Sequence, residues 1–337
     1  MTIMQDTQNF NKSLIMPSDY DSFFDKRTLF ITGVARSGTT ILSKIIGSLQ
    51  PTYCVIEPQM VKLIPVLYKL NLCGKRECSD LLKSLLFEDF IIPLIHGRNI
   101  NFNSLDHSYA GNFEDIDKIK HRWSKYRRRM DVINDLKTQK VLFVIKIPEI
   151  QPLMSVIKDI FPSALFIHSI RNCNDVVSSS LIRRGWYTDS FVDEQLIGSW
   201  VTCDIERGSK IPWYIDNESR AYYNKWNGVT RSACNWRIMN EIGMQFCQDN
   251  RESCVEFKYE DFITSIKASV QQIMEFIEYN FKFKVCTTEI TDKHLDTVKD
   301  YEHQEYSQLI DKIQEPEKSK VLGLLKQLGY GKYTKMT

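Results

Sequence analysis

The chain has 337 residues, of which 43% are hydrophobic and 26% charged, with a formal net charge of +2. That length suits one large α/β domain or two small ones, and the near-balanced charge gives no reason to expect a nucleic-acid partner. No apolar run approaches the roughly 18 residues of a membrane span, and no basic region followed by an apolar one opens the chain, so a cytoplasmic protein without membrane attachment is expected.

Residues 1–26 are polar and aperiodic and are expected to form a flexible arm. No repeat, low-complexity linker or composition break divides the rest, so 27–337 reads as a single domain. From Thr28 a β-type run, "TLFITGV", ends in a glycine loop, and "TTILSKIIGSL" continues with helical spacing. A second strand, "YCVIE", ends at Glu57. Residues 59–96 read as helices with a break around Cys73–Cys78, and the polar segment from Gly97 to Asp117 reads as a loop. The basic stretch "KIKHRWSKYRRR", Lys118 to Arg129, reads as a solvated helix face in preference to a binding patch.

Two further β-runs, "VLFVIKI" and "ALFIHSI", flank the helical "EIQPLMSVIKDIFPS". This alternation is a βαβ unit and predicts a parallel sheet. Another strand, "SCVEFKY", precedes a helix from about Ser265 to Tyr279, and a charged helical region closes on "LGYGKY". The nine cysteines are scattered and form no C-x-x-C pair, which suggests neither a disulfide framework nor a zinc site and fits a reducing compartment. The six histidines have no ligand spacing, so no metal is implied. His168, inside an apolar run, reads as a hydrogen-bonded buried histidine.

Gly33 and Gly38 have the spacing of a Walker A loop, but Thr39 and Thr40 stand where a nucleoside-triphosphate enzyme has Lys and Ser or Thr. A strand-to-helix turn of this kind points backbone N–H groups and the positive helix end at an anion. Arg36 adds a fork suited to phosphate or sulfate oxygens, and the threonines add hydroxyls. Without the lysine, such a loop suits a terminal 5′-phosphate better than a triphosphate. In "SIRNCNDVVSSSLIRR", Arg171 ends a predicted strand, where open α/β sheets bind ligands, and Ser179 lies about two turns into the next helix. Taken alone, Arg171 reads equally well as a salt-bridged strand end. Cys173 and Ser178–Ser180 have no local partner for nucleophilic catalysis.

Together, "RSGTT" and "IRNCNDVVSS" resemble the 5′-phosphosulfate loop and 3′-phosphate motif of the sulfotransferases that use PAPS, 3′-phosphoadenosine-5′-phosphosulfate. The pattern is similar to the branch containing the protein-tyrosine sulfotransferases and many bacterial small-molecule enzymes. The branch glutamate matches Glu57 in "IEPQMVKLIP", its strand-closing lysine matches Lys146 in "VIKIPE", and its V-x-Y-E-D segment matches "VEFKYEDF" with Tyr259. The resemblance is collinear from Leu29 to Phe262, with an echo in "LGYGKY"; Cys173 departs from it, standing where Pro or Gly is usual.

The resemblance implies a P-loop-like three-layer α/β fold, with a central parallel sheet and helices on both faces. It implies PAPS as donor and PAP as product, with no metal. The cofactor-binding residues would be Arg36, Ser37, Gly38, Thr39, Thr40, Arg171, Ser179 and Tyr259. Glu57 would be the base toward a hydroxyl or amine, while Lys146 and Arg36 stabilise the leaving phosphosulfate during in-line transfer. Glu57 also reads as a plain carboxylate at a helix N-terminus. A small-molecule acceptor is expected, and a guanidinium alkaloid such as a saxitoxin is one that this expectation admits. The stretch 185–228, rich in Trp186, Trp200, Trp213 and Trp226, is expected to be an acceptor-binding cap, with ordinary helix packing as the equal alternative. The rival functions are a P-loop kinase using Mg-ATP and a non-catalytic PAP-binding protein.

Overall fold

A computed structural model of the chain describes residues 23–106, 108–182, 184–189, 203–204, 209–286 and 309–330. The strands are β1 (Thr28–Gly33), β2 (Thr52–Ile56), β3 (Leu142–Lys146), β4 (Leu165–Ile170), β5 (Cys203–Asp204), β6 (Ser209–Pro212) and β7 (Cys254–Lys258). The main helices are α1 (Thr39–Gly47), α2 (Met60–Lys69), α3 (Lys75–His96), α4 (Ile116–Lys125), α5 (Arg129–Thr138) and α6 (Met154–Ile160). They continue with α7 (Cys173–Leu181), α8 (Gly228–Asp249), α9 (Tyr259–Thr264), α10 (Ile266–Phe281) and α11 (Glu317–Gln327).

Five strands form one sheet in the order β2-β3-β1-β4-β7, every neighbouring pair parallel. β5 and β6 form a separate antiparallel ribbon. Successive strand residues point to opposite faces, and the core divides accordingly. Leu29, Ile31, Leu142, Val144, Leu165 and Ile167 face one side, where Leu42, Ile45 and Ile46 of α1 and Val270, Ile273 and Ile277 of α10 cover them. Phe30, Phe143, Ile145 and Phe166 face the other side, against Leu86 of α3, Ile133 of α5, Ile157 of α6 and Phe246 of α8. A parallel sheet covered on both faces needs near-continuous apolar strands, which is why all five were recognisable as sequence runs. Helices on both faces of a central parallel sheet make the expected three-layer architecture.

Residues 1–22 of the expected arm lie outside the described residues. Its last residues depart from the expectation: Phe24 is fully buried, with its ring edge-on to Phe143 at 5.0 Å. The Asp25 carboxylate accepts the Ser163 N–H at 3.1 Å. Two adjacent phenylalanines in a polar stretch carry no periodic signal, and tertiary packing decides their place.

The basic stretch begins in α4, whose first turn is capped by the Asp115 side chain accepting from the N–H groups of Asp117 and Lys118. Most of its cations are answered by acids: Arg122 pairs with Glu114, Lys125 with Asp135 at 2.7 Å, and Arg129 with Glu88. It is an ion-paired face. Cys247 and Cys254 are disulfide-bonded between the end of α8 and β7. That bond is not legible in the spacing, and it weakens the cysteine argument for a reducing compartment.

Trp200 of the expected cap lies outside the described residues. Tyr223 and Trp226 are buried in a small cluster with Ile211, Ile215, Cys234 and Ile238, so these two aromatics pack against α8 and are unavailable as cap walls. Among the described residues, no helix is long and apolar enough to cross a membrane.

Candidate active site

The parallel order brings the C-terminal ends of all five strands to one side of the sheet, and the candidate residues follow those ends, except Ser179, which lies farther along α7. At the end of β1, a Cβ on Gly33 would come within 2.4 Å of the Ser169 carbonyl of neighbouring β4. The loop that follows takes left-handed conformations at Arg36 (φ 76) and Gly38 (φ 87). Gly38 is also the N-cap of α1, and no side chain caps that helix. The N–H groups of the first turn and the positive end of the helix are therefore presented together. Thr39 and Thr40 are its first two residues.

Ser37 differs from its expected cofactor contact. Its N–H and Oγ–H both donate to the Val34 carbonyl, its own carbonyl accepts from Ser169 Oγ at 2.6 Å, and it is fully buried. With its donors engaged, Ser37 shapes the loop.

The Arg171 strand end meets this loop directly. Arg36 Nε donates to Ser179 Oγ at 2.9 Å, and Arg171 Nη1 donates to the Arg36 carbonyl at 3.2 Å. Arg171 Nη2 lies 3.4 Å from Asp175, and the guanidinium sits over the Tyr259 ring at 4.6 Å. The same ring fills the space beside Gly38, where a Cβ would fall 2.2 Å from Tyr259 Cδ2. Arg171 Nε and Asn172 Nδ2 are buried and have no hydrogen-bond partner. Unanswered buried donors cost about 1–3 kcal/mol each, and an anion at this place would answer them.

Further contacts hold the arginine loop. Trp236 Nε1 donates to the Arg171 carbonyl at 2.9 Å. Glu260, next to Tyr259, accepts the Asn172 N–H at 2.8 Å and the Tyr330 hydroxyl at 2.6 Å. The "LGYGKY" echo thus has a physical basis, since its tyrosine steadies the carboxylate that fixes the arginine loop. Cys173 opens α7 behind the Asn172 N-cap, is fully buried, and has its thiol pushed up by burial. A buried thiol of that kind is inert.

At the β2–β3 edge, Lys146 closes β3 and its ammonium pairs with the Glu57 carboxylate. The lysine side chain is 4% exposed and the glutamate 45%, so the pair reaches outward from a buried cation to an accessible acid. Glu57 has a φ of 53, and its N–H donates to the Lys146 carbonyl at 2.7 Å. A left-handed glutamate is uncommon, and such strain persists where surrounding structure enforces it. The plain helix-terminal reading of Glu57 does not hold, because α2 begins three residues later behind Gln59.

Two charged residues here were not singled out from the sequence. Glu149 is buried, left-handed at φ 62, and accepts from Asn235 Nδ2 at 3.2 Å and the Tyr187 hydroxyl at 3.5 Å, while its Oε2 has no hydrogen-bond partner. Burial pushes its carboxyl up, against the opposing influence of Lys62. Lys62, on α2, is lowered by burial, while Glu149 and Glu57 act to raise it. Both letters sat inside the quoted motifs, Glu149 three residues beyond Lys146 and Lys62 five beyond Glu57.

His168 is buried as expected, but the expected hydrogen bonds are missing. Both ring nitrogens are without partners, and burial lowers the imidazole to about 4. Among the described residues, no group of three or more His, Cys, Asp or Glu could hold a metal ion.

A parallel α/β sheet with an anion cradle after its central strand and an arginine at the end of the adjacent strand defines a phosphate- or sulfate-handling enzyme class. The "Sulfotransferase family" sequence pattern matches residues 28–203, just over half of the chain. The chain belongs to the sulfotransferase family. Solved structures similar to it include the sulfotransferase domain from the Synechococcus PCC 7002 olefin synthase, at 16% identity over 90% of this chain and 94% of that one, TM-score 0.45. Another is the sulfotransferase domain from the curacin biosynthetic pathway, at 13% identity over 88% and 96%, TM-score 0.41. Sulfotransferase STF9 from Mycobacterium avium is similar at 12% identity over 93% and 79%, TM-score 0.43. Curated proteins give no match to the sequence.

Proposed function

We propose that this sulfotransferase uses PAPS as donor and transfers its sulfuryl group to a hydroxyl or amine of a small-molecule acceptor. The observation that carries the reading is the direct junction of the two anion-binding segments, Arg36 on Ser179, beside the partnerless Nε of Arg171. Gly38, Thr39 and Thr40 would hold the 5′ end. Arg171 and Ser179 would hold the 3′-phosphate, and Arg36 would serve both halves. When bound, PAPS supplies an activated sulfuryl group.

Glu57 accepts the acceptor's proton in this reading, since it is the accessible member of its ion pair with Lys146. Lys146 pairs with Glu57 and offers a buried positive charge where negative charge develops. Positioning and charge stabilisation are what a loose in-line transfer requires of a protein. Lys62 lies within electrostatic reach of Glu57, Lys146 and Glu149, and we assign Glu149 a positioning role because it contacts Asn235 of α8 and Tyr187. A saxitoxin-like guanidinium alkaloid belongs to the acceptor class considered, and the cytoplasm is the compartment proposed.

A thermal-shift titration with PAP, ADP and ATP, each with and without Mg²⁺, tests the donor. At a hundredfold excess over its dissociation constant, a native-state ligand stabilises by about 2.7 kcal/mol. A shift with PAP that is indifferent to Mg²⁺ is expected. A shift with Mg-ATP and none with PAP would transfer the assignment to a kinase.

A further inference from the structure

A cavity of about 390 Å³ runs along the outer edge of β2, the edge strand of the sheet. Ile56 and Pro58, the residues on either side of Glu57, line one part of it, and α3, α4 and the loop between them close the rest. Three aromatic side chains face it: Tyr53, Phe113 and Trp123. They are held in place, with Phe113 packed where a Cβ on Gly47 would lie and Trp123 donating Nε1–H to the Pro93 carbonyl at 3.1 Å.

The charges in this lining do not cancel. Asp89, Glu114 and Arg122 are its ionisable acids and bases of opposite sign. Arg122 is committed to Glu114 and lies over the Tyr53 ring at 4.9 Å. Asp89, partly buried on α3, has no hydrogen bond or ion pair among the described residues, and burial alone pushes its carboxyl up. A carboxylate losing hydration without a partner is costly, and a cationic ligand would compensate it. Flat aromatic walls favour the same occupant, since ring faces attract cations and stack on planar groups.

We propose that this cavity is the acceptor subsite and takes a small, flat organic cation, an amine, amidinium or guanidinium, whose positive charge is received by Asp89. Ile56 and Pro58, the two neighbours of Glu57 in the chain, line it; as an acceptor subsite the assignment rests on the sulfotransfer reading, whereas as a cation pocket it does not.

Isothermal titration of the full chain with benzamidine and with its neutral isostere benzamide, in the presence and absence of PAP, tests it. The wild type is expected to bind benzamidine at least about tenfold more tightly, the scale of one charge-assisted contact. Asp89→Asn should remove that preference and Asp89→Glu should retain it, while PAP affinity stays unchanged in both, which also reports that they fold. Equal affinity of the wild type for the two probes, or no binding of either, overturns the proposal without any variant. A preference that survives in Asp89→Asn overturns it as well, by putting the cation elsewhere. Absence of PAP binding in the wild type would instead remove the acceptor role and leave the cation pocket to stand or fall on its own comparison.

Discussion

Arg36 donates its Nε–H to Ser179 Oγ at 2.9 Å, joining residues 143 positions apart in the chain. The glycine loop and α7 are therefore coupled directly, and Arg171 reinforces the link through the Arg36 carbonyl. Residues sharing one hydrogen-bond network are not independent. Arg171→Ala is expected to weaken PAP binding by roughly 10- to 100-fold, the range of a charged hydrogen bond. Arg36→Ala and Ser179→Ala should each weaken it, and the double variant should lose less than the sum. Calorimetric titration with PAP measures all four; strict additivity would mean that the junction is incidental.

Glu57 and Lys146 should separate turnover from binding. Glu57→Gln keeps the shape of the side chain but removes the base, so single-turnover sulfuryl transfer is expected to fall about 100-fold or more, with PAP affinity little changed. Lys146→Met should lower transfer as well. A Glu57→Gln enzyme with wild-type transfer rates would remove this glutamate from the mechanism.

Two glycines should respond to alanine in opposite directions. Gly38→Ala places a Cβ 2.2 Å from the Tyr259 ring at a φ of 87, and is expected to cost about 1–3 kcal/mol. Gly323, inside α11, has open space around its Cβ position. Gly323→Ala should therefore stabilise by about 0.5–1 kcal/mol through helix propensity and a less flexible unfolded chain. Urea unfolding of the two variants beside the wild type gives both signs in one experiment.

His168 makes stability fall with pH over a defined window. Burial holds its folded-state value at about 4, against an ordinary value of 6.5. Between these, the unfolded chain binds a proton that the native chain refuses, so stability drops as pH falls from 6.5 and the loss is complete near 4. The full difference is worth about 3 kcal/mol. Urea midpoints measured down this range should fall less in His168→Leu than in the wild type; identical slopes would show that the imidazole protonates without unfolding.

Much of this was legible in the sequence because the signals were local. Each of the five sheet strands is a short apolar run with its own punctuation, and the glycine loop, Arg171 with Ser179, and Glu57 with Lys146 sit at those strand ends. What was hidden depends on register. Glu149 reaches the site because its N–H donates to the Gly33 carbonyl of β1 at 2.9 Å, a pairing that no spacing rule announces. Lys62 turns inward from α2, and a single lysine in an amphipathic stretch carries no mark of that. A serine in an anion loop looks like a donor to a ligand, and no spacing announces that the Ser37 hydroxyl donates to the Val34 carbonyl within the loop.

Tyr259 lies between the two halves of the site, its ring pressed on Gly38 and its face under Arg171. One rigid aromatic plane therefore sets the gap between the cradle and the guanidinium, in the way a shim sets the opening of a calliper. On the PAPS reading we propose, a pair of anionic ends at the matching separation would engage both jaws at once, while a chain of phosphates bunched at one end would touch a single jaw however much charge it carries. Selection by span needs no residue that reads the base, and thinning the shim, as in Tyr259→Leu, would loosen the measure before it weakened either jaw.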